Sequence, residues 1–149
     1  RCNALIDDAL SKGAHLLCGG KADSTQMRAT LLDGVTREMR IWHEESFGPV
    51  KSVIRVNDEE EALAVANDSE YGLAAAVYSR DSARAWNVAQ NLQTGICHIN
   101  GPTVHDEAQM PFGGCKSSGY GRFGGRAGIA EFTELRWITM QTRPRELPF

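Results

Sequence analysis

The chain is short of most features that announce a specialised class of protein. It has no run of basic residues, and its 16 Lys+Arg are outweighed by 19 Asp+Glu for a net charge of -3. A protein that neutralises a string of phosphates needs clustered positive charge, so nucleic acid is not an expected partner. No apolar stretch approaches the roughly 18 residues that span a bilayer, and no charged-then-apolar leader opens the sequence. Membrane insertion is therefore not expected, and the expected location is the cytoplasm. Cys2, Cys18, Cys97 and Cys115 are widely spaced and form no Cys-x-x-Cys pair. This argues against a zinc site and against a small disulfide framework, and reduced thiols are the expectation. There is no internal repeat.

What is present suits an ordinary globular domain: 149 residues, 42% hydrophobic and 23% charged, enough to bury a core without a disulfide or metal staple. The natural count is one domain. The chain opens on Arg1 and enters at once into apolar residues at helical spacing from Ala4 to Leu10, ended by Gly13. A piece of a longer polypeptide looks like this, although proteolysis would leave the same end.

Short apolar runs at His15 to Cys18 and Ala29 to Leu32, closed by Gly19-Gly20 and Asp33-Gly34, read as strands, as does Val50 to Val56. Asp58 followed by Glu59-Glu60-Glu61 supplies an N-cap and first-turn acids, predicting a helix to about Asn67. Leu73 to Tyr78 is short and almost wholly apolar, which favours a buried strand over the helix that its alanines alone would suggest. Asp81-Ser82 caps a second helix to about Leu92, and Gly95 to Asn100 is the next strand. Strands alternating with helices of this length imply parallel βαβ units and a sheet covered on both faces, so the fold class is α/β. Residues 101–128 hold more than half of the 15 glycines and read as a long loop, a length that usually carries function. A short helix near Ile129 to Phe132, a strand from Arg136 to Gln141 and an extended tail from Thr142 to Phe149 complete the pattern.

Several motifs dissolve on inspection. Gly119-Tyr120-Gly121-Arg122-Phe123-Gly124 has the glycine spacing of a dinucleotide fingerprint but lacks the preceding strand, the long following helix and the later acid, so it reads as a loop needing permissive backbone angles. Gly113-Gly114-Cys115-Lys116-Ser117 lacks the glycine that precedes the lysine of a phosphate-binding loop. His43-Glu44-Glu45-Ser46-Phe47 has Phe47 where a zinc-protease helix carries its second histidine, so no metal site is expected. His15 and His98 sit in strands and read as satisfied structural residues, whereas His105 lies in the glycine-rich loop and is a candidate for function. By itself Glu44-Glu45 reads first as a solvated acidic pair, with paired-carboxylate catalysis the second reading.

The longer strings change that weighting. Glu44-Glu45-Ser46-Phe47-Gly48-Pro49-Val50 resembles the Glu-Glu-x-Phe-Gly-Pro-Val signature of aldehyde dehydrogenases. Pro111-Phe112-Gly113-Gly114-Cys115-Lys116-Ser117-Ser118-Gly119-Tyr120-Gly121-Arg122 resembles their Pro-Phe-Gly-Gly-x-Lys-x-Ser-Gly-x-Gly-Arg signature, and Asn67 to Ala75 is similar to a segment between the two. The resemblance runs from about Ala4 to Met140. It implies the C-terminal part of the family's catalytic domain over residues 1–134, with an oligomerisation strand and tail over 135–149.

In that family a cysteine thiolate attacks the aldehyde, hydride passes to NAD or NADP, and water hydrolyses the resulting thioester. The resemblance implies that Glu45 accepts hydrogen bonds from the nicotinamide ribose and that Phe47 packs beside it. The loop from Asn100 to Phe112 most resembles the branch acting on salicylaldehyde, vanillin and benzaldehyde. An aromatic aldehyde is the implied substrate, with Val104, His105 and Phe112 contacting it. The nucleophile of the family sits in a Gly-Gln-x-Cys segment that none of the four cysteines matches, so no catalytic residue is assigned here and the isolated chain is expected to be inactive. A homo-oligomer, dimer or tetramer, is implied for the complete enzyme. Alternatives are an acylating, coenzyme A-dependent relative and a noncatalytic assembly module of the same fold. Arg122-Phe123-Gly124 departs from the Arg-Glu-x-Gly of many relatives, which removes any contact made by that glutamate.

Overall fold

The computed structural model describes residues 1–146; the last three residues of the tail predicted to be extended lie outside the described residues. Twelve elements follow one another: α1 (Cys2–Ser11), β1 (His15–Cys18), β2 (Thr30–Asp33), α2 (Arg40–His43), β3 (Val50–Val53), α3 (Glu59–Asn67), β4 (Tyr71–Gly72), β5 (Ala74–Val77), α4 (Ser82–Asn91), β6 (Ile96–Ile99), β7 (Cys115–Lys116) and α5 (Gly125–Glu131). No helix among them is long and apolar enough to cross a membrane.

The two capped helices form where the sequence places them. The Asp58 carboxylate accepts the Glu61 N–H at 2.8 Å, and Asp81 accepts the Arg84 N–H at 3.0 Å. Each satisfies one of the orphan donors at a helix start. In α1 the apolar spacing buries Leu5, Ile6 and Ala9. They pack with Leu32 of β2, Val50 of β3, and Val35, Met39 and Ile41 around α2 into one core. The four-residue α2 has no counterpart in the predicted pattern, because its single turn is too short to show a period and is held by Met39 and Ile41 entering that core.

The sheet differs from the expected run of parallel units. β2 and β3 are parallel, and so are β5 and β6, whose connection through α4 is the predicted βαβ unit. β1, however, runs antiparallel to β2, and β4 pairs antiparallel with β7. The physical reason is in the connections: no helix lies between β1 and β2, and a parallel neighbour needs a crossover long enough to return to the same end. The strands divide among three small sheets, β1-β2-β3, β4-β7 and β5-β6. α4 packs against both β5 and β6, yet every residue of these two strands stays partly exposed. Cover on both faces is therefore not supplied by this chain.

Two further expectations are corrected near the C-terminus. Helix α5 begins at Gly125, four residues ahead of the predicted start, because Gly124, Gly125 and Gly128 disguise it as loop. It is tied to the loop before it, since the Glu131 carboxylate accepts the Arg122 N–H at 3.2 Å. The predicted oligomerisation strand over 136–141 is not a strand in this chain. Trp137, Ile138 and Met140 are 90%, 71% and 85% exposed, and with no neighbouring edge to complete a ladder a strand sequence stays irregular.

Candidate cofactor and substrate site

The segment joining α2 to β3 separates the two adjacent carboxylates. Arg40, one helical turn back, grips Glu44 with two bonds, Nε to Oε1 at 2.7 Å and Nη2 to Oε2 at 3.0 Å. This guanidinium holds the Glu44 carboxyl below the usual carboxylate range. Glu45 has neither a hydrogen bond nor an ion pair to any described residue and faces solvent. Phe47 beside it is 82% exposed and sits at φ +47°, a left-handed conformation that costs a non-glycine residue energy. The Arg1 guanidinium lies 5.7 Å from the centre of its ring. Glu45, Ser46, Phe47, Gly48 and Lys51 line a shallow cavity of about 280 Å³.

The segment is held from behind. The Ser46 hydroxyl donates to the Gly48 and Val50 carbonyls, both at 3.1 Å, and the Cys2 thiol of α1 approaches the Ser46 carbonyl at 3.4 Å. A Cβ added to Gly48 would meet the Cys2 Sγ at 2.5 Å, so any larger residue here would require that thiol to turn aside. The turn thus presents one free carboxylate and one apolar ring on a braced backbone. A two-oxygen acceptor beside an apolar face suits a sugar diol joined to a flat ring.

The second candidate region is the loop after β6. Asn100, at φ +56°, clamps Ser79 on both sides, accepting its N–H at 2.9 Å and donating to its carbonyl at 3.0 Å. Short polar Asn tolerates the left-handed conformation through such bonds. The far end of the loop is fastened by backbone pairing of Phe112 with Phe123 and by the Arg122 Nη1, which donates to the Gly114 carbonyl at 2.7 Å. Lys116, also left-handed, reaches the C-terminal end of α3 and donates to the Asn67 and Ser69 carbonyls at 2.9 and 3.0 Å. Positive charge at a helix C-terminus is favourable, so this lysine joins the loop to α3.

Between these anchors a cavity of about 360 Å³ lies under the loop, with Ile96, Met110, Pro111 and Phe112 as its apolar walls and His98, His105, Asp106 and Glu107 as its polar side chains. His105 and Phe112 are thus brought together. Val104 does not line this cavity and is 92% exposed. His105 Nε2 is 3.3 Å from Glu107 Oε1, and its ring meets that of His98 edge-on with centres 5.4 Å apart. His98 is not the satisfied structural residue expected from a strand position: its Nε2 is buried without a hydrogen-bond partner. Alternation along β6 could have placed it on the loop side, but nothing in the sequence shows which polar atoms lack partners.

The anchors Asn100, Lys116 and Arg122 were also not singled out by composition or spacing. The glycine string 119–124 behaves as an irregular turn, with Gly119, Gly121 and Gly124 all at positive φ. Of the thiols, burial pushes Cys97 up from its ordinary value, and the Cys115 thiol donates to the Gln93 carbonyl at 3.2 Å. The described residues contain no group of three His, Cys, Asp or Glu able to hold a metal ion.

A strand–helix–strand frame carrying this turn and this loop defines a class: residues 1–138 match the aldehyde dehydrogenase family, and the chain belongs to it. Among its relatives is a vanillin dehydrogenase of Pseudomonas fluorescens, 61% identical over 148 residues, which cover 99% of this chain and 31% of that protein. Among solved structures it is similar to a salicylaldehyde dehydrogenase from Pseudomonas putida G7 complexed with salicylaldehyde, at TM-score 0.92 and 52% identity, covering 99% of this chain and 30% of the other. A Mycobacterium tuberculosis aldehyde dehydrogenase complexed with NAD+ superposes at TM-score 0.83 with 37% identity, covering 90% and 28% of the two chains. The chain thus spans just under a third of the length of these relatives.

Proposed function

We propose that this chain is the C-terminal part of an enzyme that oxidises an aromatic aldehyde to the carboxylic acid with NAD or NADP. Within it Glu45 and Phe47 hold the nicotinamide ribose, Phe112 and His105 border the aldehyde, and the exposed Val104 flanks the entrance. The observation that carries the reading is the division of labour between neighbouring carboxylates: Glu44 is held by Arg40, while Glu45 stands free beside an exposed ring on a braced turn. The cofactor, when bound, supplies the hydride acceptor. The chain's own contribution is orientation, with two carboxylate oxygens for the ribose hydroxyls and an apolar face for the ring beside them. The aromatic preference is supported by the apolar walls of the cavity under the loop and by the vanillin and salicylaldehyde dehydrogenases among the relatives.

No thiol of this chain is assigned the nucleophile's role. A thiolate nucleophile needs a depressed pKa, and the half-buried Cys97 is shifted the other way. We therefore expect the isolated chain to transfer no hydride in a single-turnover assay with benzaldehyde and excess NAD. A signal that disappeared on mutating one of the four cysteines would overturn this assignment. Residues 136–141 are proposed to complete their strand against another subunit, as their exposed apolar side chains favour. Truncation after Glu134 should then lower the sedimenting mass of the complete enzyme.

The central test is Glu45→Gln in the enzyme that contains this chain. Charge and one acceptor are lost, which should weaken cofactor binding by about 1–2 kcal/mol. Hydride transfer should slow more, on the order of 100-fold, because a ring misplaced by about 1 Å costs that much. Phe47→Ala should show a smaller defect of the same kind, and Glu44→Gln should leave hydride transfer nearly unchanged. Pre-steady-state NAD(P)H formation beside equilibrium binding reads all three, and a wild-type rate for Glu45→Gln would reduce Glu45 to a solvated surface acid.

A further inference from the structure

The cavity under the loop contains one polar atom that the protein leaves unsatisfied. His98 Nε2 is buried with no hydrogen-bond partner among the described residues, on a strand whose backbone is fixed by pairing with β5 at Ala76. An unpaired buried polar atom is costly and rare in folded proteins, and a group bound from outside the chain is one way to satisfy it. The side chain that meets it, His105, stands on the loop, is 54% exposed and is held only by its contact with Glu107. Of the other lining residues, Ile96, Met110, Pro111 and Phe112 are apolar and match an aromatic ring, and Asp106 and Glu107 are acidic.

We propose that His98 is a specificity-determining residue whose buried nitrogen accepts a hydrogen bond from a hydroxyl on the substrate's ring, so that the site prefers hydroxylated benzaldehydes. This rests on the aromatic-aldehyde reading above and deepens it. A neutral imidazole offers one acceptor nitrogen, and a phenolic O–H is a good donor to it. The T-shaped contact makes His105 the cover: its ring turns toward Glu107 as the ligand's hydroxyl enters, and the hydroxyl takes over the contact with His98. A site built to pair with a substrate hydroxyl discriminates strongly, because the analogue lacking the hydroxyl leaves the protein atom unpaired. Vanillin and salicylaldehyde, named for two of the relatives, both carry such a hydroxyl.

The experiment compares kcat/KM for benzaldehyde with that for 2-, 3- and 4-hydroxybenzaldehyde in the complete enzyme, as wild type, His98→Phe and His98→Gln. Phenylalanine keeps a flat ring and removes the acceptor, whereas glutamine keeps an acceptor. The wild type should prefer at least one hydroxylated isomer, the ratio of kcat/KM for that isomer to that for benzaldehyde should fall about tenfold in His98→Phe, and His98→Gln should restore part of the preference. If all three isomers fall in step with benzaldehyde in both variants, or if none is affected, His98 is structural and the proposal is overturned. Failure of the wild type to oxidise any of the four aldehydes would instead remove the aromatic-aldehyde reading on which it stands.

Discussion

The two halves of the chain are built on different principles. Up to Val50 the molecule is organised around side chains: Leu5, Ile6, Leu32, Met39 and Val50 are almost wholly buried in one core. Beyond it, Ala85 is the one buried hydrophobic residue named among the described residues, and order comes from backbone contacts and polar clamps. Asn100 holds Ser79, Lys116 holds the end of α3, and Gly95 lies so close to the Gly113 carbonyl that a Cβ would overlap it. The first half therefore resists change of volume, and the second resists change of shape. The difference fits their tasks, since the second half presents half-exposed surfaces and a long loop around a cavity, where a close-packed core would leave no room for a ligand.

Changes of volume test this contrast most strongly. Leu5→Ala should destabilise the chain by about 2–5 kcal/mol in urea denaturation, the usual range for a fully buried leucine. Ile96→Ala in half-exposed β6 should cost clearly less, and equal losses would remove the distinction between the halves. Gly95→Ala reverses the test. Adding a methyl group against backbone should cost about 1–3 kcal/mol, with hydrogen exchange rising in β4, β6 and the turn at Gly113 while α1 and β2 keep their protection. Uniform loss of protection would show that the halves unfold as one unit.

The helix caps should come next in size. Asp58→Ala and Asp81→Ala should each cost about 1 kcal/mol, because each removes one side-chain acceptor at an exposed helix start. The smallest expected effect is one of pH. The Arg55 guanidinium beside Asp33, with a further bond from the Gly34 N–H, holds this carboxyl below its ordinary value at the end of β2. Since its folded pKa is the lower one, its contribution is complete above the ordinary carboxylate value and is lost as pH falls through the lowered one. Asp33→Asn should therefore lower the melting temperature most at neutral pH and least in acid, which flattens the acid side of the profile, and an acid limb of unchanged steepness would reassign the effect to Asp8, Glu44 or Asp68, which are lowered for similar reasons.

The elements most legible from sequence were those with strong local chemistry. Asp58 and Asp81 marked two helix starts to the residue, and Gly95 with the apolar run after it marked β6. The two signature strings led to the right family before any coordinates. Less was legible where a neighbour decides. The direction of β1 follows from its helix-free connection to β2, the single turn of α2 from core contacts, and the start of α5 was hidden by its glycines. The state of 136–141 depends on a neighbour too, since its apolar Trp137, Ile138 and Met140 form no strand in the absence of a pairing edge. Among the site residues, Glu45 and Phe47 were readable as members of a string. His98 was passed over as a satisfied strand histidine, and Val104 was placed with His105 although it does not line the same cavity.

Sequence alone determined the family, the two capped helices and the set of residues from which both candidate regions are drawn, because caps, glycine turns and signature strings act over a few residues. Only the tertiary structure decided which of two adjacent glutamates is free, because that depends on Arg40 turning back onto Glu44. It also decided that His98 faces His105 with an unsatisfied nitrogen, because hydrogen-bond partners are allotted by the packing of the loop against β6.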